Sequence, residues 1–141
     1  MPIVRRTDLL VFCVSLLLAV IGCRTGGKPT GRVSFSEPND GATVTAPVKV
    51  VMAVEGIAIK PAGEVVEGTG HHHILINKGF MSPGQVIPTD STHRHFGKGQ
   101  TETTLNLPPG TYKLTLQFAD GLHRSYGEDL SATINIKVPE G

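Results

Sequence analysis

The residues of this chain best suited to chemistry are its six histidines. They stand in three places: His71, His72 and His73 in a row, His93 and His95 as His-Arg-His, and His123 alone. Neutral imidazole is the commonest side-chain ligand for transition metals. On a strand, residues i and i+2 share a face about 6.7 Å apart, close enough for two rings to converge on one ion. His71 with His73 fits that spacing, and His93 with His95 fits it if the segment is extended. These four and His123 are the candidate metal ligands. Asp120, Asp90 and Glu128 are nearby carboxylates that can ligate or orient a ring from outside. The donor set is rich in imidazole and poor in thiolate, with Met81 the only soft donor in reach. It suits Zn²⁺, Cu²⁺ or Ni²⁺ better than Cu⁺, so the expected cofactor, if any, is Zn or Cu(II). The same residues also admit a plainer reading, as hydrogen-bonded loop anchors, an Asp120–His123 pair across a turn, or an incidental metal scavenger.

Catalytic patterns are missing from the sequence. No Ser-His-Asp, Cys-His or paired-carboxylate arrangement is readable, and no catalytic residue is assigned. Gly97-Lys98-Gly99-Gln100 lacks the spacing of a phosphate-binding loop. Only a metal held by three histidines, with a water in the open position, would permit hydrolysis. The expectation is a protein that is not an enzyme.

Strand-like alternation must position these side chains. Val33 and Phe35 alternate with serines. Val48, Val50, Met52 and Val54 alternate with Lys49, Val51, Ala53 and Glu55. Ile74 to Ile76 form a short apolar run after the His triplet. Thr103, Leu105 and Leu107 alternate with polar residues, as do Tyr112, Leu114, Leu116 and Phe118, and then Ala132, Ile134, Ile136 and Val138. This period of two predicts half-buried antiparallel strands, and no window shows a helical period. Glu37 to Gly41, Pro108-Pro109-Gly110 and Asp120-Gly121 are turn chemistry. With a further strand expected around Gln85–Ile87, the fold class is all-β: an immunoglobulin-like antiparallel β-sandwich of about seven strands. Pro108-Pro109-Gly110-Thr111-Tyr112 is similar to the tyrosine corner of such sandwiches, with the hydroxyl bonding back to the corner backbone. If that corner marks the bottom, the strands alternate direction so that all six histidines lie at the top. If Ile74 and Ile76 face the core, His72 does too and is a buried structural imidazole rather than a ligand.

The N-terminus carries Arg5 and Arg6, then an apolar run of about 13 residues, short of the roughly 20 that span a bilayer. It closes on Val20-Ile21-Gly22-Cys23, which resembles the lipobox of bacterial lipoproteins. The resemblance implies cleavage after Gly22, a lipid on Cys23, and anchoring in the cell envelope. The alternatives are an ordinary signal peptide or an N-terminal anchor with an incidental Cys. Arg24 in place of Asp favours, by the same resemblance, the outer membrane facing the periplasm. Residues 1–22 are then a signal peptide, 23–31 the lipidated Cys with a flexible tether, and 32–141 a single sandwich domain. Loss of Cys13 and lipidation of Cys23 leave no thiol for a disulfide. The chain has 13 Lys and Arg against 12 Asp and Glu, and a leader containing Arg5, Arg6 and Asp8 leaves the two balanced. No basic block exists to bind nucleic acid. The expected partners are the membrane, through the lipid, and an envelope protein or glycan.

Gly70-His71-His72-His73-Ile74-Leu75-Ile76, Ile87-Pro88, His95-Phe96-Gly97-Lys98-Gly99-Gln100-Thr101-Glu102, Leu107-Pro108-Pro109-Gly110 and Phe118-Ala119-Asp120-Gly121-Leu122-His123 together resemble the bacterial domain-of-unknown-function family numbered 4399. The resemblance covers about residues 46–138. It implies a secreted β domain with this histidine pattern and no particular reaction. Phe35 to Val44 also looks like the opening of periplasmic copper-resistance sandwiches. Their N-terminal histidine ligand has no counterpart here. Two functions remain open at this point. One is an envelope-anchored protein binding a divalent metal at one end of a β-sandwich. The other is a non-catalytic binding or structural module with structural histidines.

Overall fold

A computed structural model describes residues 30–141. The expected signal peptide and lipidated Cys23 lie outside the described residues. Among the described residues eight strands form: β1 (Arg32–Glu37), β2 (Val48–Glu55), β3 (Ala58–Ile59), β4 (Thr69–Ile76), β5 (His93–His95), β6 (Glu102–Leu105), β7 (Gly110–Ala119) and β8 (Ser131–Val138), with a short 3₁₀ turn at Glu128–Leu130. They build two sheets. One has the order β1-β2-β6, the other β3-β4-β7-β8, with β5 also paired to β4. All pairings are antiparallel except β3–β4, which is parallel. This all-β, two-sheet arrangement is a sandwich. Its strand neighbours follow the immunoglobulin pattern, in which the first, second and fifth strands oppose the third, sixth and seventh.

The inner faces bury what the alternation selects. Val33, Val48, Val50, Met52 and Leu105 of one sheet pack against Ile74, Leu114, Leu116, Phe118, Ile134 and Ile136 of the other. Each such side chain, fully buried, contributes about 1.5–3 kcal/mol. The tyrosine corner is present: the Tyr112 hydroxyl donates to the Pro108 carbonyl at 2.7 Å.

Three features differ from the sequence expectation. Residues 85–87 form no strand, only a single bridge from Val86 to Arg124. The additional strands are β3 and β5, which divide one edge of β4: β3 on Thr69–Gly70 and β5 on His73–Leu75. Two and three residues are too few to show a period. The third feature concerns the outer face of β7. Thr115 and Gln117 alternate outward, yet both are fully buried. The β4–β5 and β7–β8 connections fold over that face and satisfy it. Thr115 Oγ1 donates to Lys78 O at 2.8 Å, and Gln117 Nε2 donates to Gly127 O at 2.9 Å. Gln117 Oε1 accepts from the Met81 N–H at 3.1 Å, and the Ser125 hydroxyl donates to Met81 O at 2.8 Å. The sheet is therefore covered on both sides, with a mainly apolar layer inside and a hydrogen-bonded one outside.

Candidate metal centre

The histidine triplet lies within β4, where the pleat separates its members. His72, Ile74 and Ile76 stand opposite Phe118, Leu116 and Leu114, which face the core. His71 and His73 stand opposite Ala119 and Gln117 and share the outer face. The register of β5 places His95 opposite His73. His123 arrives from the β7–β8 connection, in a turn closed by its N–H donating to Asp120 O at 2.9 Å. Its φ of 63° is in the left-handed region, uncommon for a residue with a Cβ. A bond from the Ile87 N–H to His123 O at 2.9 Å holds the same turn against the β4–β5 connection.

Four imidazoles therefore meet. One ring nitrogen from each of His71, His73, His95 and His123 lies within 4.8 Å of the others. The closest ring centroids, His95 and His123, are 4.6 Å apart, and the widest, His73 and His123, 5.8 Å. His71 and His73 are fully buried, while His95 and His123 are partly exposed and form the solvent side. A tetrahedral ion with Zn–N bonds near 2.0–2.1 Å needs nitrogens about 3.4 Å apart.

The hydrogen bonds of the cluster are incomplete. His71 Nε2 and His123 Nδ1 lie 3.2 Å apart and share a proton according to tautomer. His71 Nδ1, both nitrogens of His73 and His95 Nε2 are buried without a protein partner. Buried polar atoms in proteins are nearly always satisfied, and each orphan costs about 1–3 kcal/mol. The surroundings of three of these rings favour the neutral form. Burial, then the nearby His95 and His123, depress His71 to about 4, with Asp120 opposing. Burial and the surrounding imidazoles push His73 lower still. Burial and then His123 lower His95. Neutral imidazole is the form that ligates, so these three shifts favour metal binding.

The remaining candidates go elsewhere. His93 pairs with Leu75 in the ladder and is not in the cluster. Its Nδ1 sits 2.9 Å and 3.1 Å from the Asp90 carboxylate oxygens. Asp90 is held well below the usual carboxylate range by that bond and by those from Thr92. This pair lines a shallow pocket with His95, Arg94 and Glu102. Asp120, expected beside a ring, instead spends its carboxylate on the turn that carries His123. Glu128 opens the 3₁₀ turn, and its carbonyl accepts from the Ser131 hydroxyl at 2.8 Å. His72 lies in the core, its ring 5.1 Å from Phe118.

Two glycines have a packing role at the site that their sequence context does not reveal. A Cβ on Gly97 would overlap the His95 ring, and a Cβ on Gly121 would overlap the Glu64 backbone. Gly97 lets the chain pass beneath His95, and Gly121 seats the turn that presents His123. Their positions next to histidine-bearing segments were the available signal, and adjacency alone does not reveal packing.

No curated protein and no solved structure matches the chain. A family model matches residues 50–139, a span that includes all six histidines and all of β4, β5 and β7. The chain belongs to the family described as Domain of unknown function (DUF4399).

Proposed function

We propose that this protein is a lipoprotein of the bacterial envelope that binds a divalent transition metal, Zn²⁺ or Cu²⁺, through His71, His73, His95 and His123. One observation carries the metal reading: four imidazoles from three separate chain segments converge, with buried nitrogens that have no protein partner. The choice of ion follows from the donors, which are nitrogens without thiolate. The ligand count supports a non-catalytic role: four protein ligands would fill a tetrahedral shell, whereas a catalytic zinc keeps one position for water. The envelope location rests on Arg5, Arg6, the apolar run and Gly22-Cys23.

Titration of the purified chain with Zn²⁺ and Cu²⁺ at neutral pH, followed by calorimetry, tests the reading. One equivalent binds, and replacing His71, His73, His95 and His123 together with Ala abolishes that binding. Equal binding by the parent and the fourfold variant overturns it. His93→Ala, by contrast, leaves the affinity unchanged.

A further inference from the structure

We propose that Asp120 is the positioning residue of the metal site, locking the turn that holds His123 as a latch over a fixed three-histidine base. The inference rests on the metal reading above and adds how the fourth ligand is held.

The four ligands are not supported alike. His71 and His73 are both in the β4–β7 ladder, and His95 is paired to His73 on the other edge of β4. Their backbones cannot move without breaking sheet hydrogen bonds. His123 is outside any strand and holds a φ of 63°. A non-glycine residue stays in that conformation only where its surroundings over-determine it.

Asp120 supplies much of that determination. It is 5% exposed. Oδ1 accepts from the Leu122 N–H at 2.9 Å and the Arg124 N–H at 3.0 Å, and Oδ2 accepts from Arg124 Nε at 2.7 Å. Its backbone closes the same loop, with Asp120 N–H donating to Arg124 O at 3.0 Å and Asp120 O accepting from the His123 N–H. All three carboxylate bonds thus go to the residues flanking His123, and none to an imidazole. Hydrogen bonds to a charged group are about twice as strong as neutral ones. Without the carboxylate, the turn loses the acceptor of the two N–H groups that fold the chain around His123. The ring then disengages while the β4–β5 base remains.

The test uses the full chain with Zn²⁺ and Cu²⁺ as probes. Asp120→Ala is expected to weaken Zn²⁺ binding about 10- to 100-fold, the range typical of lost outer support, and to match His123→Ala. The double variant should bind no more weakly than either single one. Electron paramagnetic resonance of the Cu²⁺ form should show one coordinated nitrogen fewer in Asp120→Ala, as in His123→Ala. A merely structural role would lower thermal stability and leave the nitrogen count unchanged. Asp120→Asn keeps Oδ1 as acceptor but loses the ion pair with Arg124, so a loss of about 10-fold or less is expected. That variant decides the matter if the Ala variant does not fold. Parent-like affinity and nitrogen count in both Asp120 variants, or additive losses in the double variant, overturn the latch. Loss of all difference between the parent and the fourfold His variant overturns the metal reading instead, so the two failures are distinct.

Discussion

His72 and its neighbours in sequence differ in fate by one step of the pleat. His71 and His73 face the outer layer and join the cluster, while His72 faces the core with both ring nitrogens unpartnered. Alternation alone, carried back from Ile74 and Ile76, was enough to read this split from the sequence. What His72 costs is a matter of protons. Burial, then the nearby His71, lowers it from 6.5 to about 4. A group whose folded pKa is depressed binds fewer protons when folded than when unfolded across that interval. Stability is therefore intact above about pH 6.5, falls as pH drops toward 4, and levels off below. The shift is equivalent to about 3 kcal/mol at most. Metal-free protein in chelator is expected to show this loss in denaturant titrations between pH 7.5 and 4.5. His72→Leu, which removes the orphaned nitrogens, should flatten the profile by a similar amount at its acid end. An unchanged slope in that variant would assign the acid sensitivity to other groups.

Among the elements, β7 was the most legible and β5 the least. Eight residues of strict alternation, Thr111 to Phe118, announce β7, and the Pro-Pro-Gly at its start announces the corner. The Tyr112–Pro108 bond is a local consequence of that turn. Tyr112→Phe should lower unfolding free energy by about 0.5–1.5 kcal/mol, the net worth of one such bond. It should leave metal affinity unchanged, because the corner lies at the far end of β7 from Ala119, the residue opposite His71. Chemical denaturation and zinc titration of the same sample check both halves. β5 escaped because three residues reading His-Arg-His carry no apolar stripe, and its strand character comes only from the β4 edge it joins. The expectation of a strand at 85–87 erred for a related reason: apolar Val86 and Ile87 are used in a connection that covers β7 and ties down His123, with Val86 itself exposed.

At the scale of the whole molecule, a sandwich without a disulfide carries a polar outer layer that encloses the histidines. Occupation of such a site stabilises the folded chain by mass action, since the unfolded chain cannot gather the four rings. At free metal 100-fold above the dissociation constant the gain is about 2.7 kcal/mol, which for a domain of this size raises the midpoint of thermal unfolding by roughly 10 °C. Calorimetric melting with and without Zn²⁺ should show that rise in the parent and none in the fourfold His variant. The sequence by itself determined the all-β class, the core-facing residues, the corner, and the gathering of histidines toward one end, because each follows from local alternation and turn chemistry. Only the tertiary structure decided which of them meet. The separation of His93 from the cluster follows from its register opposite Leu75, the inclusion of His95 from its register opposite His73, and the arrival of His123 from a turn closed by Asp120. Those are long-range pairings and loop placements, and a periodicity of two carries no information about either.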